Sequence, residues 1–207
     1  MNEKFWDLSK AKQDNMINGS LKVFSRDGFK HASTDEIVSE ASVSKGLLFH
    51  YFISKSGLYA FLTEYCARFA LVEINSEIRR LDSIPFFELQ NRLTKAEMRI
   101  MRQYPHMLLF LESAARDDSA GNLEETRSNL ALYTDRVASL VKDSVLPPNM
   151  TSENAEQIHK LIHLMRIDSA SSILRRGSFS SDQYLAAVGS CIQMFESFYL
   201  EGEDPHF

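Results

Sequence analysis

The chain has 207 residues, 44% hydrophobic and 25% charged, which suits a folded globular protein of at most two domains and argues against long disorder. No apolar run reaches the roughly 18 residues of a membrane span, and the start MNEKFWDLSKAKQ lacks the apolar stretch of a secretory signal, so a cytoplasmic protein is expected. Net charge is −5, but unevenly spread: residues 1–55 hold 8 Lys and Arg against 7 Asp and Glu, and the remaining 152 hold 15 against 21. Taken alone, so mild a basic bias does not point to a nucleic acid. Cys66 and Cys191 each lie in an apolar helical pattern with no metal-site spacing nearby, and read as buried, reduced thiols.

No fixed-period repeat appears, and nothing alternates long enough to suggest a sheet, so the chain reads as all-α. From Lys10 to Arg26, Ile17, Ser20, Leu21 and Phe24 share one face of a helix that stops at Asp27-Gly28. Ser33 is expected to cap a second, two-turn helix with Glu36 as its capping-box partner, and Thr34, Ile37, Val38 and Ala41 line its face. After a break at Ser42-Val43, a third short helix starts at Ser44, and the Ser54-Lys55-Ser56-Gly57 stretch opens a long fourth helix towards Arg80. Further helices are expected over Phe86–Gln103, Pro105–Arg116, Leu123–Val145, Ser152–Arg176 and Asp182–Leu200, with Pro105 in a first turn and Gly177 as a stop. About nine helices result, in two domains: 1–55, a helix-turn-helix module, and 56–207, a larger helical domain.

The first three helices bury apolar faces on each other through Leu21, Phe24, Phe29, Ile37, Val38, Ala41, Val43, Leu48 and Phe52. With Leu48 and Phe52 inward, Lys45 and Phe49, and Gly46 and His50, form i, i+4 pairs on outward faces. A stubby helix showing Phe, His and Lys outward suits entry into the major groove of duplex DNA.

These residues resemble the TetR family of bacterial transcriptional regulators. The likeness runs from Ile17 to Leu62, where Gly28-Phe29, Thr34, Ile37, Ala41, Val43-Ser44-Lys45-Gly46, Leu48, His50-Tyr51-Phe52 and Ser54-Lys55 fall at the family's spacing. It implies that Thr34 holds a phosphate, that Ser44, Lys45, Gly46, Leu47, Phe49 and His50 meet the groove, and that Tyr51 and Lys55 clamp the backbone. Lys55 also lies at a helix N-terminus, where phosphate is favoured. Three positions depart from the pattern. Ser42 replaces the usual turn glycine, so a left-handed backbone there costs about 1 kcal/mol more. Leu47 replaces a commonly polar residue and Phe49 a common Tyr, which exchanges a hydroxyl contact for an apolar one, for instance with a thymine methyl.

In the larger domain the last helix carries Tyr184, Leu185, Val188, Cys191, Ile192, Phe195, Phe198 and Tyr199 on one broad face, and the preceding helix Ile158, Leu161, Ile162, Met165 and Ile173. By the resemblance, these two helices from each of two chains make a four-helix homodimer interface that reads a near-palindromic operator. The same faces also fit an intrachain core. Phe61, Tyr65, Phe69, Met98, Met101, Met107, Phe110 and Met165 fit core packing and equally the wall of an effector pocket, with Glu112, His159, His163, Arg166 or Asp168 orienting a ligand's polar end. Glu156, His159 and His163 have metal-compatible spacing but no HExxH pattern or Cys partner, so neither metal nor cofactor is expected.

The expected function is a dimeric DNA-binding repressor released from its operator by an apolar or amphipathic small molecule. An activator or partner-protein-controlled regulator is the alternative. A small helical metal-dependent enzyme is a remote one, since no nucleophile motif, phosphate loop or strong metal signature is present, and the chain is read as a non-enzyme.

Overall fold

The computed structural model describes residues 3–78, 83–117 and 124–200. After a short 3₁₀ helix, Glu3–Asp7, come nine α-helices among these residues: α1 Lys10–His31, α2 Thr34–Glu40, α3 Lys45–Phe52, α4 Lys55–Ile78, α5 Phe86–Gln103, α6 Met107–Arg116, α7 Glu124–Lys142, α8 Ser152–Arg176 and α9 Ser181–Leu200. The ends expected at Arg80 and Leu123 fall outside the described residues. Two compact units arise, one from residues 1–69 with 103–133, the other from 70–102 with 134–207.

In the first unit, Met16, Ile17, Leu21 and Phe24 of α1 are buried as their spacing requires. At Gly19 the backbone of α2 comes so close that a Cβ would lie 2.5 Å from the Ala41 nitrogen, so only glycine permits this crossing. Gly28 breaks α1 with φ 66 and ψ 178, and a single turn leads on to His31. Ser33 has the extended backbone of an N-cap, but its hydroxyl makes no capping bond, and Glu36 turns instead to Arg26 at 2.6 Å. The expected capping box is therefore absent, because a guanidinium within reach outcompetes a backbone amide for the carboxylate. Ser44 does cap α3, accepting from Leu47 N–H at 3.2 Å.

Ser42, in the turn between α2 and α3, has φ 52, the left-handed conformation expected there. A γ-turn joins α3 to α4: Ile53 has φ 66 and ψ −47, and Ser54 N–H donates to the Phe52 carbonyl at 2.7 Å. Ser54 Oγ accepts from Gly57 N–H at 3.0 Å, and a Cβ on Gly57 would meet the Phe52 carbonyl at 2.3 Å. The 3₁₀ helix is not apparent from periodicity. It seats Phe5 against the rings of Tyr51, Phe52 and Phe61, at centroid distances of 5.8, 5.1 and 5.4 Å; its one sequence signal is the Phe5-Trp6 pair in a polar start. Pro105 is not in a first turn either, since it shares a turn with His106, the residue just before α6, whose side chain makes no capping bond.

In the second unit, α5 buries Phe86, Phe87, Leu89, Leu93, Ala96, Ile100 and Met101, while α8 and α9 contact each other and bury Ile158, Ile162 and Ile173, and Tyr184, Val188 and Ile192. Helix α7 stops at Lys142 rather than Val145, because the Val145 backbone pairs with Ile84 and Phe86 at 2.8 and 2.9 Å. A buried polar cluster lies on α5, α8 and α9. Arg166 pairs with Glu97 at 3.3 Å and donates to the Gln90 carbonyl at 2.7 Å and to Thr94 at 3.1 Å, and the Tyr184 hydroxyl donates to Glu97 at 2.8 Å. Arg166 also donates to Gln90 Oε1 at 3.1 Å, which fixes the amide orientation, so His159 must present its protonated Nδ1 to that oxygen at 3.0 Å. Burial holds the His159 pKa down at about 3, with Arg166 adding to the shift. Cys66 is buried, and burial pushes its thiol up, but Cys191 is only half-buried, because the apolar stripe of α9 is wider than the surface α8 covers.

Candidate nucleic-acid interface

The turn at Ser42 and the γ-turn at Ile53 leave α3 as a two-turn helix anchored through Leu48 and Phe52, both buried. Its other faces are open: Ser44, Lys45, Gly46 and His50 are exposed, and Leu47 and Phe49 are half-exposed. Nothing lies within 4 Å of a Cβ built on Gly46, so a surface of another molecule is free to approach the backbone there. Lys45 Nζ pairs with Asp35 at 2.8 Å, with both side chains more than half exposed. Such a pair contributes under about 1 kcal/mol and is readily exchanged for a phosphate or base edge.

The remaining expected contacts are placed differently. Thr34 opens α2 and is half-buried. Tyr51 is only 8% exposed, its ring lying edge-on to Phe5 and His50, so it is a packing residue as well as a clamp candidate. Lys55 Nζ donates to the carbonyls of Ala32 and Lys30 at 3.2 and 3.4 Å and rests 4.9 Å from the Phe29 ring centre. It thus caps the end of α1 as well as standing at the mouth of α4, a role that spacing within 1–55 did not reveal.

The ten residues expected to face an effector divide between the units. In the first, Phe61, Tyr65 and Phe69 stack in sequence along α4 at 5.8 and 6.1 Å, and the Tyr65 and Tyr104 hydroxyls meet at 2.7 Å. Tyr104 also bonds Lys10 and Asp14 of α1, at 3.0 and 2.9 Å. Burial, joined by the Asp14 carboxylate and opposed by the Tyr65 hydroxyl, pushes the Tyr104 pKa up to about 12. Phe110 is fully buried against Phe24 and Tyr59, Met107 is buried, and Glu112 is half-buried and pairs with Arg116. In the second unit, Met101 is buried, Met98 and His163 are half-buried, and Met165 is exposed; His159 and His163 line one shallow groove with Lys160 and Leu164. Among the described residues, no three His, Cys, Asp or Glu side chains are grouped to hold a metal ion, and no helix is long and apolar enough to cross a membrane.

Residues 16–61 match the family model of bacterial regulatory proteins, tetR family. No curated protein matches the chain. Among solved structures it is similar to a TetR family transcriptional regulator from Chloroflexus aurantiacus, at 17% identity, 97% of each chain and a TM-score of 0.62. It is also similar to the transcriptional regulator FadR from Bacillus subtilis, solved in complex with stearoyl-CoA, at 11% identity, 87% of this chain, 95% of that one and a TM-score of 0.57. A third is the fatty acid degradation regulator FadR from Bacillus halodurans, at 15% identity, 97% of this chain, 99% of that one and a TM-score of 0.57. At such identities the structural likeness speaks for the fold, and the family match is to the segment that contains α2 and α3. Residues 16–61, with α2 and α3, thus match the tetR family of bacterial regulatory proteins, and the whole fold is similar to that of TetR family transcriptional regulators.

Proposed function

We propose that the chain is a homodimeric repressor that reads a near-palindromic operator through α3 and is released by an apolar or amphipathic small molecule. The open surface of α3 carries the reading. Lys45 and His50 project from a short helix whose opposite face is anchored in the core, which is the arrangement a groove-reading helix needs. Lys55 and Thr34 then flank it as phosphate contacts, with Ser44, Gly46, Leu47, Phe49 and Tyr51 completing the face. Residues 1–55 act as the reading head and 56–207 as the effector-binding and dimerisation domain, working at the nucleoid.

Dimerisation through α8 and α9 is supported by large apolar side chains that a single chain leaves in water: Leu161, Leu164 and Met165 on α8, Met194 and Phe198 on α9, the last 77% exposed. An apolar face of this kind on a soluble helix pair marks an interaction surface. An effector with a long apolar chain is supported by the aromatic run Phe61, Tyr65 and Phe69 along α4, and by neighbours of the same fold named as fatty acid regulators or solved with stearoyl-CoA. The effector acts by preferring a dimer geometry that does not match two half-sites.

The test is fluorescence anisotropy with duplexes selected by the protein from a random library. A selected duplex should bind at least about 10³-fold more tightly than random duplex at physiological salt, and stearoyl-CoA should release it. Equal affinity for selected and random DNA would refute the reading.

A further inference from the structure

Gly28 interrupts α1, and the amide of Phe29 just beyond it has no helical carbonyl to bond. Asp117, the residue that closes α6, takes that amide: Phe29 N–H donates to Asp117 Oδ2 at 2.8 Å, across 88 residues of sequence. A Cβ on Gly28 would stand 3.3 Å from the same oxygen, so the bare glycine leaves the carboxylate room to approach. The bond lies at the rim of an open cleft of about 520 Å³, bordered by Asp27, Lys30, Ser113 and Arg116. Without the carboxylate, water reaches the amide.

The bond gains its consequence from the short turn 29–31 beside it. Ala32 N–H returns to the Gly28 carbonyl at 3.2 Å, and the Lys30 and Ala32 carbonyls receive Lys55. Ser33 then leads directly into α2. The turn therefore sets both the entry to α2 and the seat of the lysine that begins α4, which are the two supports on either side of α3.

We propose that Asp117 is a positioning residue for DNA reading, which by holding the Phe29 amide ties the end of α1 to α6 and fixes the attitude of α3. This rests on the reading of α3 as the DNA-contacting helix. The experiment compares the full-length protein with Asp117→Ala and Asp117→Asn, by anisotropy on the selected duplex and on random duplex, and by hydrogen exchange at the Phe29 amide. Asp117→Ala should bind the selected duplex about tenfold more weakly, in line with leaving one backbone amide without its hydrogen-bond acceptor. Its affinity for random duplex should stay within about twofold, since no cation is removed. Asp117→Asn keeps an acceptor oxygen and should recover most of the specific affinity and the Phe29 protection. If Asp117→Ala fails to fold, Asp117→Ser, too short to reach the amide, replaces it.

Unchanged specific affinity in Asp117→Ala overturns the proposal. So does an Asp117→Asn protein as impaired as Asp117→Ala, which would assign the effect to charge, or parallel losses on specific and random DNA. If the wild-type protein itself prefers no duplex, the positioning role falls with the DNA reading, while the exchange measurement still shows separately whether the bond to Asp117 exists.

Discussion

Ile53 has a β-branched side chain at φ 66 and is 80% exposed, so no burial offsets the strain of its backbone. A non-glycine residue in this region loses roughly 1–2 kcal/mol, whereas glycine there adds only about 0.5–1 kcal/mol of unfolding entropy. Ile53→Gly is therefore expected to raise the thermal midpoint by a degree or more, and a lower midpoint by calorimetry would show that the γ-turn is not strained. Lys55 caps the end of α1, and the proposed function adds a phosphate contact to that role. Lys55→Ala should lower the salt slope of DNA binding by roughly one unit, as loss of a phosphate contact does, and should also lower stability by about 0.5–1 kcal/mol through the lost cap on α1. A change in stability with an unaltered salt slope would leave Lys55 a purely structural residue. Lys45→Ala and His50→Ala are expected instead to change which duplexes are selected from a random library, because both project from the open face of α3.

Between elements, the contact that tolerates least is the crossing of α1 and α2 at Gly19. The atom that a Cβ would meet at 2.5 Å is backbone, which does not swing aside as a side chain does. Gly19→Ala should accordingly destabilise the protein by about 1–3 kcal/mol, read as a lower urea midpoint; a neutral effect would show that α2 is free to shift. The same crossing fixes the spacing of the helix-turn-helix, so the variant should also lose selectivity for its duplex below its melting temperature. Burial explains the other supports of α3. Phe5 adds a fourth aromatic ring to Tyr51, Phe52 and Phe61, and thereby joins the 3₁₀ helix to the base of α3.

For the whole molecule, the exposed apolar faces of α8 and α9 lead to an expectation about assembly. Leu161→Glu with Leu164→Glu should give monomers in sedimentation velocity and abolish binding to a two-half-site duplex, while circular dichroism retains the helical signal; a dimer surviving both substitutions would move the interface elsewhere. Stability should also fall on acidification. His159 is neutral in the fold down to about pH 3, whereas the unfolded chain takes up its proton near pH 6.5, and burial lowers His106 in the same direction. The unfolded state therefore binds more protons below pH 6.5, and stability present above that pH is lost as the pH falls from there towards 3. His159→Gln should flatten this dependence, measured as urea midpoints at pH 7 and pH 5; an unchanged slope would show that His159 is not responsible.

The helices and the open face of α3 were legible in the sequence because both depend on local rules: apolar spacing of three and four, the breaks at Gly28 and Ser42, and a dense run of family-spaced residues from Ile17 to Leu62. The left-handed turn at Ser42 was legible for the same reason. Long-range partners decided the rest. Glu36 left its capping position for Arg26, Lys55 turned to the end of α1, Phe5 became core, and the Arg166 that reads as a ligand contact closed on Glu97, Gln90 and Thr94. A charged or aromatic side chain takes the strongest partner that folding brings within reach, and for these four that partner is 10 to 76 residues away in sequence. Periodicity specifies which face of a helix is apolar. Only the tertiary structure decides what covers it, and on α8 and α9 it leaves Leu161, Leu164 and Phe198 in water.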